Sequence, residues 1–316
     1  MTRSVLVPSS LVREAEDKRA ATRKLGYVAR AAAVFRIDRL VVYPDPLGEP
    51  DAGWGDGGFV HTVLAYAATA PFLRKEVWGR RSELEYAGVL PPLHLGTRTG
   101  SGSTGSGSSR QGIVTEVGPE ERVRVNCGLQ HPISLPVPPG MEVPREGERV
   151  TIRVSSREPV RAKLVDEPQP GFDVERAGLA RQLARVDAGV RIAASRFGEP
   201  LTVARLDSLR GECEAAGGWT MAFGAPERGL PDILGEDAEA ISRAAREGTH
   251  SETGTVAVAG HTDTDDGAPT AGAATDNEPR DPRFDLWLNT VPDQGSETVR
   301  TEEAMFASLS PLRLPR

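Results

Sequence analysis

The 316 residues carry a formal net charge of −7, and only 5% of them are aromatic, so any core must be built on Val, Leu and Ala. That charge balance disfavours a wholly basic nucleic-acid module, and no run of about 18 apolar residues is available to span a membrane. The opening MTRSVLVPSSLVREAED is too weakly apolar for a secretion signal and turns acidic at once, so a cytoplasmic protein is expected.

SVLVPSSL (4–11) has the β-branched content of a strand and ends in a Pro-Ser-Ser turn. Ser9 or Ser10 is placed to cap a helix over 12–34. FRIDRLVVY (35–43) is a second strand. Strand, helix, strand argues for a parallel sheet with right-handed crossovers. A Gly/Asp/Pro loop covers 44–58, and Pro71 interrupts a helix over 61–78. Arg74, Lys75, Arg80 and Arg81 give that region a basic face, which a solvated surface also explains.

GTRTGSGSTGSGSSR (96–110) is a flexible Gly/Ser tract. Its formal GxGxxG at Gly100, Gly102 and Gly105 neither follows a strand nor opens a helix, so it is not read as a nucleotide loop. From 111 to 166 the apolar period drops to two. GIVTEVG, RVRVNCG, ISLPVP, RVTIRVSS and VRAKLVD are five short strands between Gly/Pro turns, the pattern of a small OB-like β-barrel. Such barrels hold single-stranded nucleic acid in basic grooves. Arg122, Arg124, Arg153 and Arg161 are the candidates for RNA contact, although aromatic stacking residues are missing there.

The α/β pattern resumes beyond Pro170, with a helix over 174–186, a strand GVRIAAS (189–195), a loop over 196–200 and a helix over 201–216. WTMAF (219–223) is a strand that runs straight into the loop FGAPERGL, and a helix over 237–246 follows. Residues 250–283 are rich in Gly, Thr and Asp and read as a disordered insertion. Acids gather between 235 and 285 while arginines crowd the first half, a mixture that also fits a high-salt cytoplasm. Cys127 and Cys213 are expected as lone buried thiols, and five scattered histidines give no metal site.

FDLWLNTVPDQGSETVRTEEAMFASL (284–309) is an apolar strand, a polar loop and a helix that starts near Thr301. In open α/β sheets this succession builds ligand sites. Gly224 and Gly229 allow close backbone approach, and Glu227 is placed to accept from a ribose or an amine. Thr301 can cap the last helix, and Glu302 and Glu303 suit its positive end. Arg300 has no such structural duty and is a candidate substrate contact. With no Ser/His/Asp arrangement or cysteine nucleophile in competition, these loops suit group transfer from a bound cofactor.

NTVPDQGSETVRTEEA, with FGAPERGL upstream, resembles the knotted SpoU–TrmD (SPOUT) superfamily of S-adenosylmethionine-dependent RNA methyltransferases. It is most similar to the archaeal and eukaryotic branch that carries an inserted OB-like domain. RAAAVFRIDRLVVY, APFLRKEVW, LEYAGVLPPL and IAASRFG share in the resemblance, which covers most of the chain. It implies an α/β fold whose parallel sheet ends in a C-terminal trefoil knot, a feature that composition and periodicity cannot show. It divides the chain into a methyltransferase domain over 1–92 and 168–316 and an OB-like barrel over 93–167, with a linker at 96–109.

The resemblance further implies S-adenosylmethionine bound between the two loops by Phe223, Gly224, Glu227, Gly229, Asn289, Val291, Gln294, Gly295, Thr298 and Val299. It implies a homodimer acting on a nucleotide of rRNA or tRNA. Arg300 would orient the RNA or the acceptor, and Glu303 is either a base or a helix starter. The family's short basic, His-containing segment after LPPL is replaced here by the Gly/Ser tract. Two other classes stay open: an RNA-associated factor that keeps the cofactor-binding fold without turnover, and a single-strand binder centred on the barrel.

Overall fold

A computed structural model describes residues 1–45, 54, 58–93, 108–157, 159–226, 228–247 and 284–314. The elements in order are β1 (Thr2–Pro8), α1 (Lys18–Val34), β2 (Arg39–Tyr43), α2 (Phe59–Ala68) and α3 (Arg74–Trp78). Five strands follow: β3 (Ser108–Gly118), β4 (Arg122–Asn126), β5 (Ile133–Pro136), β6 (Arg149–Arg157) and β7 (Val160–Val165). Then come β8 (Asp173–Arg176), α4 (Leu179–Leu183), β9 (Val190–Pro200), α5 (Val203–Ala215) and β10 (Gly218–Ala222). The chain closes with α6 (Leu230–Leu234), α7 (Ala238–Glu247), β11 (Leu286–Asn289) and α8 (Thr301–Leu309).

One sheet is parallel throughout, in the order β11-β9-β10-β1-β2-β8. Its centre is β1, whose apolar run is buried on both faces, as strands between two helical layers require. Val5 and Val7 point into a cluster with α1, α2 and α8, while Leu6 points the other way, towards Leu179, Leu183 and Leu230. The second sheet is antiparallel, in the order β5-β4-β3-β6-β7. It curls until its edge strands β5 and β7 come together around a core of Val123, Val125, Ile152 and Leu164. The fold is thus mixed α/β with a parallel sheet and an antiparallel, nearly closed one.

Several local expectations need correction. Helix α1 begins at Lys18, because Asp17 accepts from the Ala20 amide at 2.6 Å. Ser9 and Ser10 do not cap it; both bind Asp45 instead. The second strand starts only at Arg39, after a turn in which Arg36 takes a left-handed φ of 54°. Residues 173–176 are a strand rather than the start of a helix, since parallel pairing with β2 outweighs local preference. The loop expected at 196–200 is part of β9. Pro71 does split the helical region, into α2, a 3-10 turn and α3. Glu227, residues 94–107 with the GxGxxG match, and the expected insertion at 250–283 lie outside the described residues.

Candidate active site at the carboxyl edge of the parallel sheet

A cavity of about 180 Å³ opens beside the middle of β9, where β10 and β11 end. Its walls are residues 194–197, the loop after β10, the loop after β11, and Thr301 and Ala304 of α8. Phe223, Gly224, Gly229, Asn289, Val291, Gln294, Thr298 and Val299 all line it, so the structure brings together most of the residues named from sequence. Gly295 lies outside the lining, as do Arg300 and Glu303.

The first loop is held from below. The Phe223 amide donates to Leu6 O at 2.9 Å, and its carbonyl accepts the Tyr43 hydroxyl at 2.7 Å. Burial, with the Asp45 charge adding to it, pushes the Tyr43 phenol well above its ordinary value, so it remains a donor. Ala225 and Arg228 exchange two backbone bonds, of 2.9 and 3.2 Å. Arg228 then reaches down to the fully buried Asp45 at 2.6 Å. A Cβ on Gly224 would stand 2.5 Å from the Leu230 nitrogen, so the chain can cross itself there only with glycine. Asp232 accepts the Gly229 amide at 3.0 Å and starts α6.

The second loop closes on itself. Asn289 donates to Arg196 O at 3.0 Å and accepts the Val291 amide at 3.0 Å. Gln294 donates to Ser296 O and Glu297 O. Two hydroxyls fasten the loop to its surroundings. Thr290 pairs with the buried Ser308 at 2.8 Å, and Thr301 donates to Gly224 O at 2.9 Å. Thr301 is therefore not the helix cap. Arg300 occupies that position, and its amide donates to the Glu303 carboxylate at 2.9 Å. Glu302 turns away from the cavity towards Lys24, 3.8 Å off, and burial raises its pKa.

Sequence reading missed the third wall. β9 pairs with β11 at Ile192 and Ala193 and again at Glu199 and Pro200, so residues 194–198 bow out of the ladder. The signal was Gly198: a glycine inside a strand marks a bulge or a close approach, and a Cβ here would meet Leu288 N at 2.5 Å. Tyr43 and Asp45 were missed too, because their roles depend on contacts across 180 residues or more.

Apolar walls from Phe223, Leu230, Leu288, Val291 and Val299, with amides and hydroxyls between them, suit a flat heterocycle bearing a polar tail. The charged groups in the lining are Arg196, Asp232 and Glu297. Neither cysteine offers a thiolate: burial pushes Cys213 up to about 12 and raises Cys127. Among the described residues no group of three or more His, Cys, Asp or Glu could hold a metal, and no helix is long and apolar enough to cross a membrane.

On the antiparallel sheet, Arg153 and Arg161 line an open cleft of about 810 Å³ with Lys163 and Ser134. Arg122 donates to Ser134, at that cleft's wall, at 3.1 and 3.2 Å. Arg153 also pairs with Glu167. Arg124 is instead paired with Glu116 at 3.4 Å.

Residues 2–312 match the profile of a family described as "Putative RNA methyltransferase". An uncharacterized protein of Halobacterium salinarum is 64% identical over 99% of each chain, and one of Haloarcula marismortui is 62% identical over the same shares. The chain is also 27% identical to the human 28S rRNA (uridine-N(3))-methyltransferase, over 99% of this chain and 78% of that one.

Proposed function

The chain belongs to this RNA methyltransferase family, and we propose that it is an S-adenosylmethionine-dependent enzyme that methylates N3 of a uridine in rRNA. The target is taken over from the human relative, a 28S rRNA (uridine-N(3))-methyltransferase. The observation that carries the cofactor assignment is the cavity between the loops after β10 and β11. Its lining sets Phe223, Leu288 and Val291 beside Asn289, Gln294 and Thr298, which supports a ligand with both an apolar ring and a polar tail.

S-adenosylmethionine, when bound, supplies an electrophilic methyl that an acceptor takes by in-line displacement as a neutral thioether leaves. Everything else falls to the chain. Phe223, Gly224, Gly229, Val291 and Val299 hold the heterocycle, and Thr298 borders the tail on a loop that Asn289 and Gln294 brace. Asp232 and Glu297 supply negative charge to a cationic ligand. Positioning of this kind supplies much of the rate in a displacement that needs no covalent intermediate. Glu303 accepts the Arg300 amide and closes the first turn of α8, which supports the helix-starting role over that of a base. Arg300, exposed beside the loop, contacts RNA phosphate.

We read the parallel sheet as a SPOUT fold, in which the segment after β11 threads a trefoil knot. Support comes from the Thr301–Gly224 bond, which ties α8 to the loop after β10, and from α8 packing against α1. The enzyme acts as a homodimer, and the cleft carrying Arg153 and Arg161, with Arg122 at its wall, holds the RNA backbone.

Calorimetry with S-adenosylmethionine tests the cavity. Transfer of labelled methyl to rRNA from a strain lacking the protein tests the activity. Reverse-transcription arrest then maps the product, since an N3-methyl blocks base pairing. No binding of the donor, or binding without transfer to any rRNA, defeats the reading.

A further inference from the structure

We infer that the outward bow of β9 at residues 194–198 is the acceptor-base site. There Phe197 stacks on the uracil ring and Arg196 neutralises the charge that its carbonyl oxygens gain. This rests on the uridine-N3 reading above.

The bow is built rather than slack. Leu286 and Trp287 of β11 pair with Ile192 and Ala193, and the very next residue, Leu288, pairs with Glu199. Five residues of β9 therefore face no partner on β11, at the cost of ladder hydrogen bonds. Irregularities of this kind gather beside active sites, where they re-aim side chains. Three contacts fix the shape. Gly198 lets β11 approach so closely that any Cβ would overlap its backbone. Asn289 donates to Arg196 O, and the Phe197 amide donates to Ser195 Oγ at 3.3 Å.

What the bow presents is a platform. Residues 194–197 all line the cavity assigned to the methyl donor. Phe197 is half-buried yet joins none of the hydrophobic clusters that make the core. The Arg196 guanidinium lies over one face of that ring, 4.8 Å from its centre, and is exposed; the other face is the one left for a base. Among the described residues no carboxylate pairs with it, whereas Arg39, Arg191, Arg205 and Arg228 each have one. An aromatic face with a neighbouring guanidinium is how proteins grip an unstacked base.

The chemistry calls for a cation at this point. A uridine N3 carries a proton and has no lone pair to offer. That proton goes to water, and the N3 pair so released forms the new N–C bond while the S–C pair leaves with sulfur. Until the bond forms, negative charge spreads over O2 and O4, and a guanidinium brought beside them stabilises it. Of the other charged groups in the lining, Asp232 is bound to the Gly229 amide and Glu297 bears the wrong sign; Glu199, next to the bow, is paired with Arg205.

The test is single-turnover methyl transfer to transcribed rRNA as a function of pH, with donor affinity measured by calorimetry as the check on folding. Arg196→Gln is expected to lower the rate at neutral pH by roughly 100-fold. It should also move the alkaline plateau up by about two pH units. Arg196→Lys should fall between. Transcripts made with 5-fluorouridine, whose imide is more acidic, should rescue the Gln variant far more than the wild type. Phe197→Ala should weaken RNA binding by roughly 10-fold, with Phe197→Trp close to wild type. An unmoved pH limb with no rescue, or unchanged RNA affinity in Phe197→Ala, overturns the inference. Should the wild type methylate some other atom, or fail to bind the donor, it is the function reading that falls.

Discussion

Thr301 donates its hydroxyl to the Gly224 carbonyl at 2.9 Å and so ties the first turn of α8 to the loop that leaves β10, 77 residues earlier. Both residues line the cavity, and Thr301 is only 3% exposed. Thr301→Val keeps the shape and removes the donor from a part-buried carbonyl, which costs about 1 kcal/mol. The variant should melt at lower temperature and bind S-adenosylmethionine several-fold more weakly, while Thr301→Ser should restore both. Differential scanning fluorimetry and calorimetry read the two effects separately.

Gly224 gives the sharper steric test. A methyl there would need the Leu230 nitrogen and the Gly229 backbone, both within 3.0 Å of its ideal position, to move. Those atoms are main chain and cannot rotate away. Gly224→Ala should therefore displace the loop and weaken donor binding by 10-fold or more, on the order of 1.4 kcal/mol. Gly295→Ala should change little, since nothing lies within 4 Å of its added carbon and it does not line the cavity. Equal losses in the two variants would show that the loop crossing is not what shapes the site.

Much of this arrangement was legible because it depends on local chemistry. Alternation gave the five antiparallel strands, and Gly and Pro at strand exits marked both cavity loops. What the sequence hid was decided at long range. Asp17 beats Ser9 and Ser10 as the cap of α1 because the two serines are drawn to Asp45, more than 30 residues away. Asp173–Arg176 becomes strand only because β2 offers a free edge. Thr301 looked like a cap, since a hydroxyl before two glutamates is the local signature of one; its tertiary partner is invisible in that window. The bow in β9 was hidden for the same reason, as it is defined by its register against β11.

Glu302 makes stability depend on pH. Its side chain is 11% exposed, and Lys24, its cation at 3.8 Å, is closer still to Glu14. Burial raises the Glu302 pKa above the ordinary 4.5, and Lys24 only partly offsets this. Folding thus favours the protonated form. Its contribution is complete below the unfolded value and is lost as pH rises through the folded one. Urea denaturation should show stability declining as pH climbs past 4.5, at least in this component. Glu302→Gln should flatten that limb and be no less stable at pH 7; a steeper decline in the variant would contradict the assignment.

Gln111, 4% exposed on β3, joins the antiparallel sheet to the rest of the molecule. Its Oε1 accepts from the Ala70 amide at 2.9 Å and from Arg149 at 3.2 Å. Its Nε2 donates to Ala68 O at 3.1 Å and to Pro170 O at 2.7 Å. One carboxamide thus uses all four of its hydrogen-bonding positions and grips the chain on both sides of the sheet. Gln111→Leu would strand an amide and two carbonyls in a buried seam, each at roughly 1–3 kcal/mol. Gln111→Glu keeps the shape but turns an acceptor towards Ala68 O and Pro170 O. Both variants should lower the denaturation midpoint and speed hydrogen exchange at the Ala70 amide. On the proposed role of the arginine-lined cleft in holding RNA, loosening this seam should lower kcat/KM for RNA about 10-fold further than donor affinity, about 1.4 kcal/mol of coupling. Parallel losses in RNA turnover and donor binding would instead make Gln111 a general stabiliser with no part in aligning the two sheets.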